Sequence, residues 1–370
     1  MNKPTVQDIF LRFYPAYLEK HSPSAEQAKV SRNIMNCKTG AYGANVSVCE
    51  DCGAVQIHYN SCRNRCCPMC QAVPKEMWMD ARREDVLDAP YFHLVFTVPD
   101  ILNPIIYNNQ KLLYDTLYHA ASATISELTA DPKHLGADVG YICILHTWGS
   151  EMNFHPHIHT ILLGGGLTSK NEWKDNGTEF FLPIRAVSKS FRGKYIDELK
   201  HLWNTGQLEF HGTAEKYRNY YVFKDLLDSC YDTEWIPYCK KTFNGARSVI
   251  DYLGKYTHRI AISNHRIICM DDKNVTFSVK DYRNKGQWKE LTLSGVEFIR
   301  RFLMHVPPKR FVRIRHYGLL CSRSKHKKLT LCRNLLGCQK YLSKLRGKEM
   351  PEILKQLYEI NGPMSRKSTN

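Results

Sequence analysis

The chain has 370 residues, of which 43% are apolar, and its 52 Lys and Arg residues outnumber 36 Asp and Glu residues to give a net charge of +16. This length allows two or three domains with a sizeable core. No apolar run approaches the ~20 residues that a membrane span needs, and residues 1–18 resemble no export signal. Fourteen cysteines in such a chain favour a reducing, cytoplasmic compartment, where clustered thiols bind metals rather than form disulfides.

A helical segment and a cysteine cluster open the chain. Residues 1–35 carry apolar side chains at helical spacing. Two Cys-x-x-Cys turns follow, Cys49 with Cys52 and Cys67 with Cys70, and fourteen residues separate them. Each turn can aim two thiolates at one tetrahedral ion, and the spacing is typical of two-knuckle zinc sites. The sequence therefore predicts a closed, structural Zn²⁺ site.

Further potential ligands lie beside these four thiols: Cys37, His58, Cys62 and Cys66. They could supply a second structural zinc ion. The adjacent Cys66 and Cys67 are not expected to face the same ion. The nearby bases Arg63 and Arg65 favour a role for this module in reading DNA.

Regular elements alternate along the middle of the chain. Helical spacing predicts helices over residues 76–89, 105–128 and 189–203. Alternating or buried apolar runs predict strands over residues 92–98, 141–148, 157–163, 182–186 and 260–263. The β-α-β-β order of the first elements, with short connections, predicts an antiparallel sheet with helices packed on it, an α+β domain.

Three alternating histidines, His155, His157 and His159, run into the strand predicted over residues 157–163. Residues i and i+2 of a strand point to the same face, so the last two histidines present adjacent imidazoles. Paired neutral imidazoles on a rigid strand form half of a divalent-metal site. The glycines at 164–166 are predicted to end the strand in a turn.

A helix is predicted to begin near Asn244, which can cap it. Tyr252 and Tyr256 are four residues apart, so their hydroxyls lie on one face a turn apart. Lys255 and Arg259 flank the two tyrosines. Tyrosine pairs at this spacing usually serve packing, so this pair indicates a function only together with other features.

Positive charge is concentrated near the C-terminus. Residues 300–348 contain fifteen Lys and Arg and no Asp or Glu, which accounts for nearly all of the net charge of +16. Aromatic residues are interleaved with these bases, a pattern that suits a polyanion, and nucleic acid is the leading candidate. Arg310, Arg313 and Arg315 are candidate DNA contacts, and the apolar content of residues 311–320 indicates a folded segment.

In combination, these features resemble the rolling-circle, two-tyrosine transposases of bacterial insertion sequences, which belong to the HUH (His-hydrophobe-His) nuclease superfamily. The resemblance covers roughly residues 30–340 and is carried by Asn60-Ser61-Cys62-Arg63-Asn64-Arg65 with Cys67-Pro68-x-Cys70, residues 92–99, His146-Thr147-Trp148-Gly149, His155-Pro156-His157-Ile158-His159 with Gly164-Gly165-Gly166, residues 252–259 and residues 311–318. One departure is Cys66, where the family often has histidine, and it leaves open which of Cys62 and Cys66 binds zinc.

The resemblance implies three parts of the chain. Residues 1–85 would form a helical cap and a zinc-binding domain, and residues 86–265 an HUH-type antiparallel sheet flanked by helices. Residues 266–370 would form a basic DNA-binding region. The expected partner is single-stranded DNA, at the element ends and the target site of the bacterial nucleoid, with no role at a membrane.

The same resemblance implies that Tyr252 and Tyr256 are nucleophiles. A tyrosine hydroxyl would attack a phosphodiester of single-stranded DNA and leave a 5′-phosphotyrosine link and a free 3′-hydroxyl. Lys255 would neutralise the phosphate between the tyrosines, and Arg259 would contact DNA. The link stores the bond energy, which agrees with the lack of a Gly-x-x-x-x-Gly-Lys phosphate loop in the sequence.

A catalytic Mg²⁺ or Mn²⁺ on His157 and His159 would polarise the scissile phosphate. His155 fits the strand face as the third ligand, and Glu151 and His258 are the other candidates.

Other functions are weaker readings of the same residues. A plasmid or phage replication initiator uses the same two motifs, but no helicase domain is visible in the sequence. A zinc-ribbon nucleic-acid-binding protein without enzyme activity would carry the His-x-His strand only incidentally. A zinc hydrolase lacks support because no His-Glu-x-x-His occurs.

Overall fold

The computed structural model describes residues 3–49, 52–176, 182–235, 237–241, 249, 254, 261–281 and 286–358. Contacts divide the chain into two compact units. The first unit comprises Met1–Glu84, His258–Val306 and Tyr341–Asn370, and the second comprises Asp85–Thr257 and Pro307–Lys340. The division into three functional parts, after residues 85 and 265, stays a prediction.

Helices and strands cover much of the described chain. The helices are α1 (Val6–Lys20), α2 (Ala25–Met35), α3 (Ala72–Arg83), α4 (Asn103–Asn108), α5 (Gln110–Ala130), α6 (Ile184–Asn204), α7 (Tyr220–Asp232), α8 (Gly295–Met304), α9 (Lys325–Leu336) and α10 (Met350–Tyr358). The strands are β1 (Ala44–Val48), β2 (Val55–Tyr59), β3 (Tyr91–Thr97), β4 (Asp138–Trp148), β5 (Phe154–Leu167), β6 (Trp173–Asp175), β7 (Tyr238–Lys241), β8 (Ile267–Met270), β9 (Asn274–Asp281), β10 (Gln287–Ser294) and β11 (Ile314–Gly318).

The first unit is built around its N-terminal helices. Thr5 and Ser24 cap α1 and α2, each by accepting a hydrogen bond from a backbone N–H of the first turn. The helix α1 packs against α2 and α8, where the rings of Phe10 and Phe302 meet edge to face at 5.3 Å. The strands β8, β9 and β10 form an antiparallel sheet, and β1 pairs with β2 in a separate hairpin.

The second unit is built around an antiparallel sheet in the order β11-β4-β5-β3-β7, with β6 added at the end of β5. Alternate residues of its central strands, including Phe92, Leu94, Ile158 and Leu162, are buried in one core with apolar residues of α5 and α6. Each such side chain contributes about 1.5–3 kcal/mol when fully buried. The predicted α+β class, with an antiparallel sheet flanked by helices, is confirmed.

Most predicted elements are found, and two are wrong. Residues 1–35 form α1 and α2, and the strands predicted over residues 92–98 and 141–148 are β3 and β4. The strand predicted over 182–186 is wrong, because α6 begins at Ile184 and buries its apolar residues at helical spacing. The strand predicted over 260–263 is wrong in its described part, 261–263, which is irregular. Among the described residues, no helix is both long and apolar enough to cross a membrane.

The glycines at 164–166 do not form the predicted turn, since β5 continues through them to Leu167. Neighbouring groups approach these glycines closely. A Cβ on Gly165 would lie 2.5 Å from Cζ2 of Trp173, and one on Gly166 would lie 2.3 Å from the carbonyl oxygen of Asp138. Glycine is therefore needed here for close approach inside a strand.

Candidate metal centres

Four cysteines of the first unit converge. The sulfur atoms of Cys37, Cys62, Cys67 and Cys70 all lie within 4.8 Å of one another. The Sγ atoms of Cys62 and Cys70 are 3.8 Å apart. Zn–S bonds of ~2.3 Å in a tetrahedron place the sulfur atoms about 3.8 Å apart. The four thiols therefore fit a structural zinc ion.

Hydrogen bonds within this cysteine cluster favour the thiolate form, which zinc requires, at one of the four sulfurs. The backbone N–H of Cys62 donates to Sγ of Cys37 at 3.5 Å, and that of Asn64 donates to Sγ of Cys62 at 3.5 Å. Hydrogen bonds from the Cys62 and Cys67 thiols lower the pKa of Cys70, whereas hydrogen bonds to Cys62 and Cys70, together with burial, raise the pKa of Cys67. One of the four sulfurs is thus prepared to bind a cation before the others lose their protons.

The first predicted knuckle takes no part in the cysteine cluster. Cys49 follows β1 at the turn of the β1–β2 hairpin, where its carbonyl accepts a hydrogen bond from Gly53 N–H, and Cys52 is exposed in the same turn. The structure brings only Cys67 and Cys70 of the two Cys-x-x-Cys turns into the cluster, and zinc binding by Cys49 and Cys52 stays a prediction. Cys37 and Cys62, two of the further potential ligands, converge with Cys67 and Cys70 instead.

The hairpin explains which thiols meet. The backbone N–H of Lys38 donates to the carbonyl of Asn60 at 3.1 Å, and that of Asn60 donates to the carbonyl of Gly43 at 3.0 Å. These bonds close the base of the hairpin and bring Cys62 back beside Cys37. Cys66 is buried outside the cluster, its N–H donates to Oδ1 of Asn64 at 2.8 Å, and His58 lies exposed on β2.

Three histidines converge on the sheet of the second unit. His157 and His159 lie on β5, and the register places His146 of β4 opposite His157. One ring nitrogen from each of the three lies within 4.8 Å of the others, and the Nε2 atoms of His157 and His159 are 3.1 Å apart. All three are buried, with at most 9% of the residue exposed. These rings lie on the face of the sheet opposite to the one that packs on α5 and α6.

The surroundings hold these imidazoles in the form that binds metals. Nδ1 of His157 lies 2.7 Å from the carbonyl oxygen of His155, which can only accept, so Nδ1 carries the proton and the Nε2 lone pair faces the cluster. Burial lowers the pKa of His157 to about 4, and burial also lowers the pKa of His159 well below its usual range. The ring of His146 stacks on Trp148 at 4.4 Å. Neutral, oriented imidazoles fit a divalent transition-metal ion better than Mg²⁺, which prefers oxygen ligands.

His146, rather than His155, is the third histidine that the structure brings together with His157 and His159. Nδ1 of His155 lies 3.1 Å from Oδ1 of Asp100, and His155 is not one of the three converging residues. Glu151 is described and is likewise not among them. The sequence alone does not identify His146 as part of the cluster, because its approach to His157 depends on strand register and on a bulge between His146 and Trp148.

Several predicted site residues lie outside the described part of the chain: Tyr252, Lys255, Tyr256, His258 and Arg259. Their roles stay predictions. Arg63, Arg65 and Arg310 are exposed, as expected of DNA contacts.

Arg313 and Arg315 make contacts within the protein. Arg313 is buried, with its guanidinium 5.9 Å from the ring centre of Trp148. Arg315 pairs with Asp115 and lies 4.0 Å over the ring of Tyr118. Both positions stabilise the fold, and a direct DNA contact by either residue stays a prediction.

Acids from elsewhere in the chain pair with part of the basic tract at residues 300–348. These ion pairs join Arg300 and Arg301 to Glu297, Lys325 to Asp85, Lys328 to Asp138, Arg346 to Glu84 and Lys348 to Glu352. Within the described residues, the exposed cations of the tract that have no ion pair are Lys309, Arg310, Arg323, Lys327, Lys340 and Lys344. These exposed cations are the part of the tract that can meet a polyanion.

The chain belongs to a family of transposases. The family model described as "Putative transposase" matches residues 140–328, which include the two strands of the histidine cluster. The model described as "Transposase zinc-binding domain" matches residues 9–98, which include the cysteine cluster.

More particularly, the chain is homologous to insertion-sequence transposases of the IS801 and IS91 type. It is 41% identical over 336 residues to "Putative transposase y4qJ" of Sinorhizobium fredii, an alignment that covers 90% of this chain and 84% of the relative. It is 28% identical over 344 residues to "Transposase for insertion sequence element IS801" of Pseudomonas savastanoi pv. phaseolicola, covering 87% of this chain and 81% of the relative. No solved structure matches the chain.

Proposed function

We propose that this transposase is a metal-dependent HUH endonuclease and strand transferase that moves an insertion sequence by a rolling-circle route. The observation that carries the proposal is the buried cluster of His146, His157 and His159 on two adjacent strands. The cluster presents neutral nitrogen ligands on a rigid sheet. A divalent ion bound there would polarise a scissile phosphate and stabilise the charge that develops on it.

The chain's own residues prepare this site. The carbonyl of His155 fixes the tautomer of His157, and Trp148 orients His146 by stacking on its ring. Burial lowers the pKa of His157 and of His159 and so favours their neutral, metal-binding form. A preorganised site of this kind does not have to rearrange at the moment of reaction.

Tyr252 and Tyr256 are the proposed nucleophiles, and Lys255 the proposed phosphate contact. The tyrosine Oη forms a bond to phosphorus while the bond to the 3′-oxygen breaks, which yields a 5′-phosphotyrosine and a free 3′-hydroxyl. Attack by a 3′-hydroxyl on that phosphotyrosine rejoins DNA and releases the tyrosine. Each exchange replaces one phosphoester by another, so no ATP is required.

The proposed partner is single-stranded DNA of the element ends and the target site in the bacterial nucleoid. The zinc-binding part, residues 1–85, and the basic part, residues 266–370, would each bind DNA in addition to the nuclease part, residues 86–265. The exposed cations without ion pairs support this, because phosphate contacts of Lys and Arg dominate the affinity of such proteins.

A covalent-adduct assay tests the chemistry. The zinc-loaded protein is incubated in Mn²⁺ with single-stranded oligonucleotides from the flanks of its gene, and adducts stable in denaturant are measured. The wild type should form an adduct, and the Tyr252→Phe/Tyr256→Phe double variant should form none while it still binds DNA. An adduct in the double variant would place the nucleophile at another tyrosine and overturn the assignment.

The salt dependence of binding tests the DNA surface. Arg310→Gln/Arg323→Gln removes two exposed cations without ion pairs, and the slope of log K against log salt should fall by about 1.4. Lys328→Gln/Arg346→Gln changes the net charge equally but removes two paired cations, so its slope should change less. Equal effects would show that ion pairing within the protein does not decide which cations meet DNA.

A further inference from the structure

A fourth histidine lies behind the histidine cluster. His93 of β3 is buried, with 5% of the residue exposed, and its Nε2 lies 2.9 Å from Nδ1 of His159. The ring centres are 5.1 Å apart with an angle of 12° between the planes, so the two rings are nearly parallel and meet edge to edge through these nitrogens. His93 pairs with Ile161 in the register of the sheet, so it reaches His159 diagonally across the two strands.

Both nitrogens of His159 have defined neighbours. Nε2 lies 3.1 Å from Nε2 of His157, on the side where the three ligand atoms converge, and Nδ1 faces His93. An imidazole that binds a cation through Nε2 must carry its proton on Nδ1. That N–H then needs an acceptor, because an unsatisfied donor at a buried position is costly. Nε2 of His93 is at the distance of such an acceptor.

We propose that His93 is a positioning residue of the divalent-ion site. Its Nε2 accepts a hydrogen bond from Nδ1–H of His159, and this bond fixes the tautomer and the ring angle that direct Nε2 of His159 at the ion. This inference rests on the proposed function, since it assumes that the histidine cluster binds a divalent ion. His93 itself is a neutral ring whose proton lies on Nδ1 in the ion-bound state.

The position of His93 suits this role. The residues on either side, Phe92 and Leu94, are fully buried in the core on the other face of the sheet, so β3 cannot easily shift. Outer partners of this kind orient ligating histidines and raise their basicity, and their loss typically weakens metal binding by roughly 10- to 100-fold. The carbonyl of His155 is the outer hydrogen-bond partner of His157, and the imidazole of His93 is the outer partner of His159.

Mn²⁺ affinity of the zinc-loaded, full-length protein tests the proposal, with free Mn²⁺ measured by electron paramagnetic resonance. His93→Phe keeps a planar ring but removes the acceptor, and it should raise the Kd for Mn²⁺ by roughly 10- to 100-fold. His93→Gln offers an amide oxygen in its place and should recover most of the affinity. Leu94→Ala is the control, because it opens the core from the same strand but should leave the Kd for Mn²⁺ unchanged.

A double-mutant cycle separates positioning from general damage to the fold. If His93 acts through His159, His93→Phe should add no further loss of Mn²⁺ affinity in a His159→Ala background. Wild-type affinity in His93→Phe, or a His93→Gln variant as weak as His93→Phe, would overturn the positioning role alone. A folded wild type that does not bind Mn²⁺ would instead overturn the metal site of the proposed function, and the positioning role with it.

Discussion

The two metal centres differ in what holds their ligands in place. The cysteine cluster lies beside the β1–β2 hairpin, whose apolar residues are largely exposed, for example Val46 at 62% and Ile57 at 54%. Little apolar burial is therefore available to fix the loops that carry the thiols. The histidine cluster lies on strands whose other face is buried in a large core. We conclude that zinc supplies folding energy to the first site, whereas the fold supplies the geometry of the second.

The largest expected effect follows from breaking the cysteine cluster. Cys70→Ser should lose zinc and unfold residues 37–75, because metal binding in such modules contributes apparent free energies of about 10–16 kcal/mol. Metal analysis and hydrogen exchange measure the two losses.

Cys49→Ser is the matched control for this prediction. Cys49 belongs to the predicted knuckle that the structure leaves outside the cluster, so this variant should keep one zinc ion per chain. Loss of zinc from Cys49→Ser would show that the four converging cysteines are not the complete ligand set.

The next largest effect is expected from substitutions in the histidine cluster, which should lower metal affinity and activity rather than stability. His157→Ala removes one of three converging nitrogens, and it should lower Mn²⁺ affinity and strand cleavage by at least about 100-fold. The urea midpoint of His157→Ala should shift less from that of the wild type than the midpoint of Cys70→Ser does, because burial of the core on the other face stabilises the sheet. His155→Ala should keep Mn²⁺ binding, since His155 contacts Asp100 instead. A large loss in His155→Ala would restore His155 as a ligand.

These two sites also show what a sequence can and cannot predict. His157 and His159 were found because the two-residue period of a strand is a local property. His146 and His93 were missed as site residues because each reaches the cluster from a neighbouring strand, and the pairing register is set by turns and bulges distant in sequence. The cysteine cluster could not be predicted from the spacing alone for a similar reason: Cys37 meets Cys62 only after the hairpin between them has folded.

Element types were predicted well where the pattern is long. The helix over residues 189–203 and the strands over 92–98 and 141–148 have many residues to establish a period. Residues 182–186 form a short apolar run, for which strand and helix cannot be distinguished by periodicity. The structure resolves it as an irregular start that leads into α6.

A polar anchor in the first unit should have an intermediate effect on stability. Asp80 of α3 is buried, and its carboxylate accepts hydrogen bonds from Tyr341 Oη at 2.7 Å, from the Ser343 hydroxyl and from Leu345 N–H at 3.0 Å. Asp80→Ala leaves these donors unpaired and should lower the free energy of unfolding by about 2–4 kcal/mol. Urea unfolding measures the loss.

Tyr341→Phe tests the same anchor from its other side. This aromatic residue lies in the tract expected to meet nucleic acid, but its hydroxyl is bound to Asp80. Removing the hydroxyl should cost about 1 kcal/mol and leave zinc content unchanged. If stability is unaffected and DNA binding falls, the residue serves the interface rather than the anchor.

The smallest effect should come from an ion-pair network on the surface of the first unit. Glu297, three residues after the Ser294 cap of α8, receives hydrogen bonds from Arg300 and Arg301 that lower its pKa to about 2. A carboxyl whose folded-state pKa lies below its ordinary value of about 4.3 stabilises the protein above that pH. Its contribution is lost as the pH falls through the folded-state pKa. Because the Glu297 side chain is partly exposed, at 31%, solvent screens its ion pairs, and Glu297→Gln should cost only about 0.5–1 kcal/mol at pH 7.

Urea unfolding of the wild type and of Glu297→Gln between pH 7 and pH 3 measures how much Glu297 contributes to the free energy of unfolding and how that contribution changes with pH. The difference in the free energy of unfolding should stay constant down to about pH 5 and then shrink as the pH falls, since the unfolded chain binds its proton first. Glu290→Gln, at an exposed position of strand β10, has the same charge change and should cost less than Glu297→Gln at pH 7. A difference for Glu297→Gln that grows on acidification would mean that the pKa of Glu297 is raised, and that Arg300 and Arg301 do not control it.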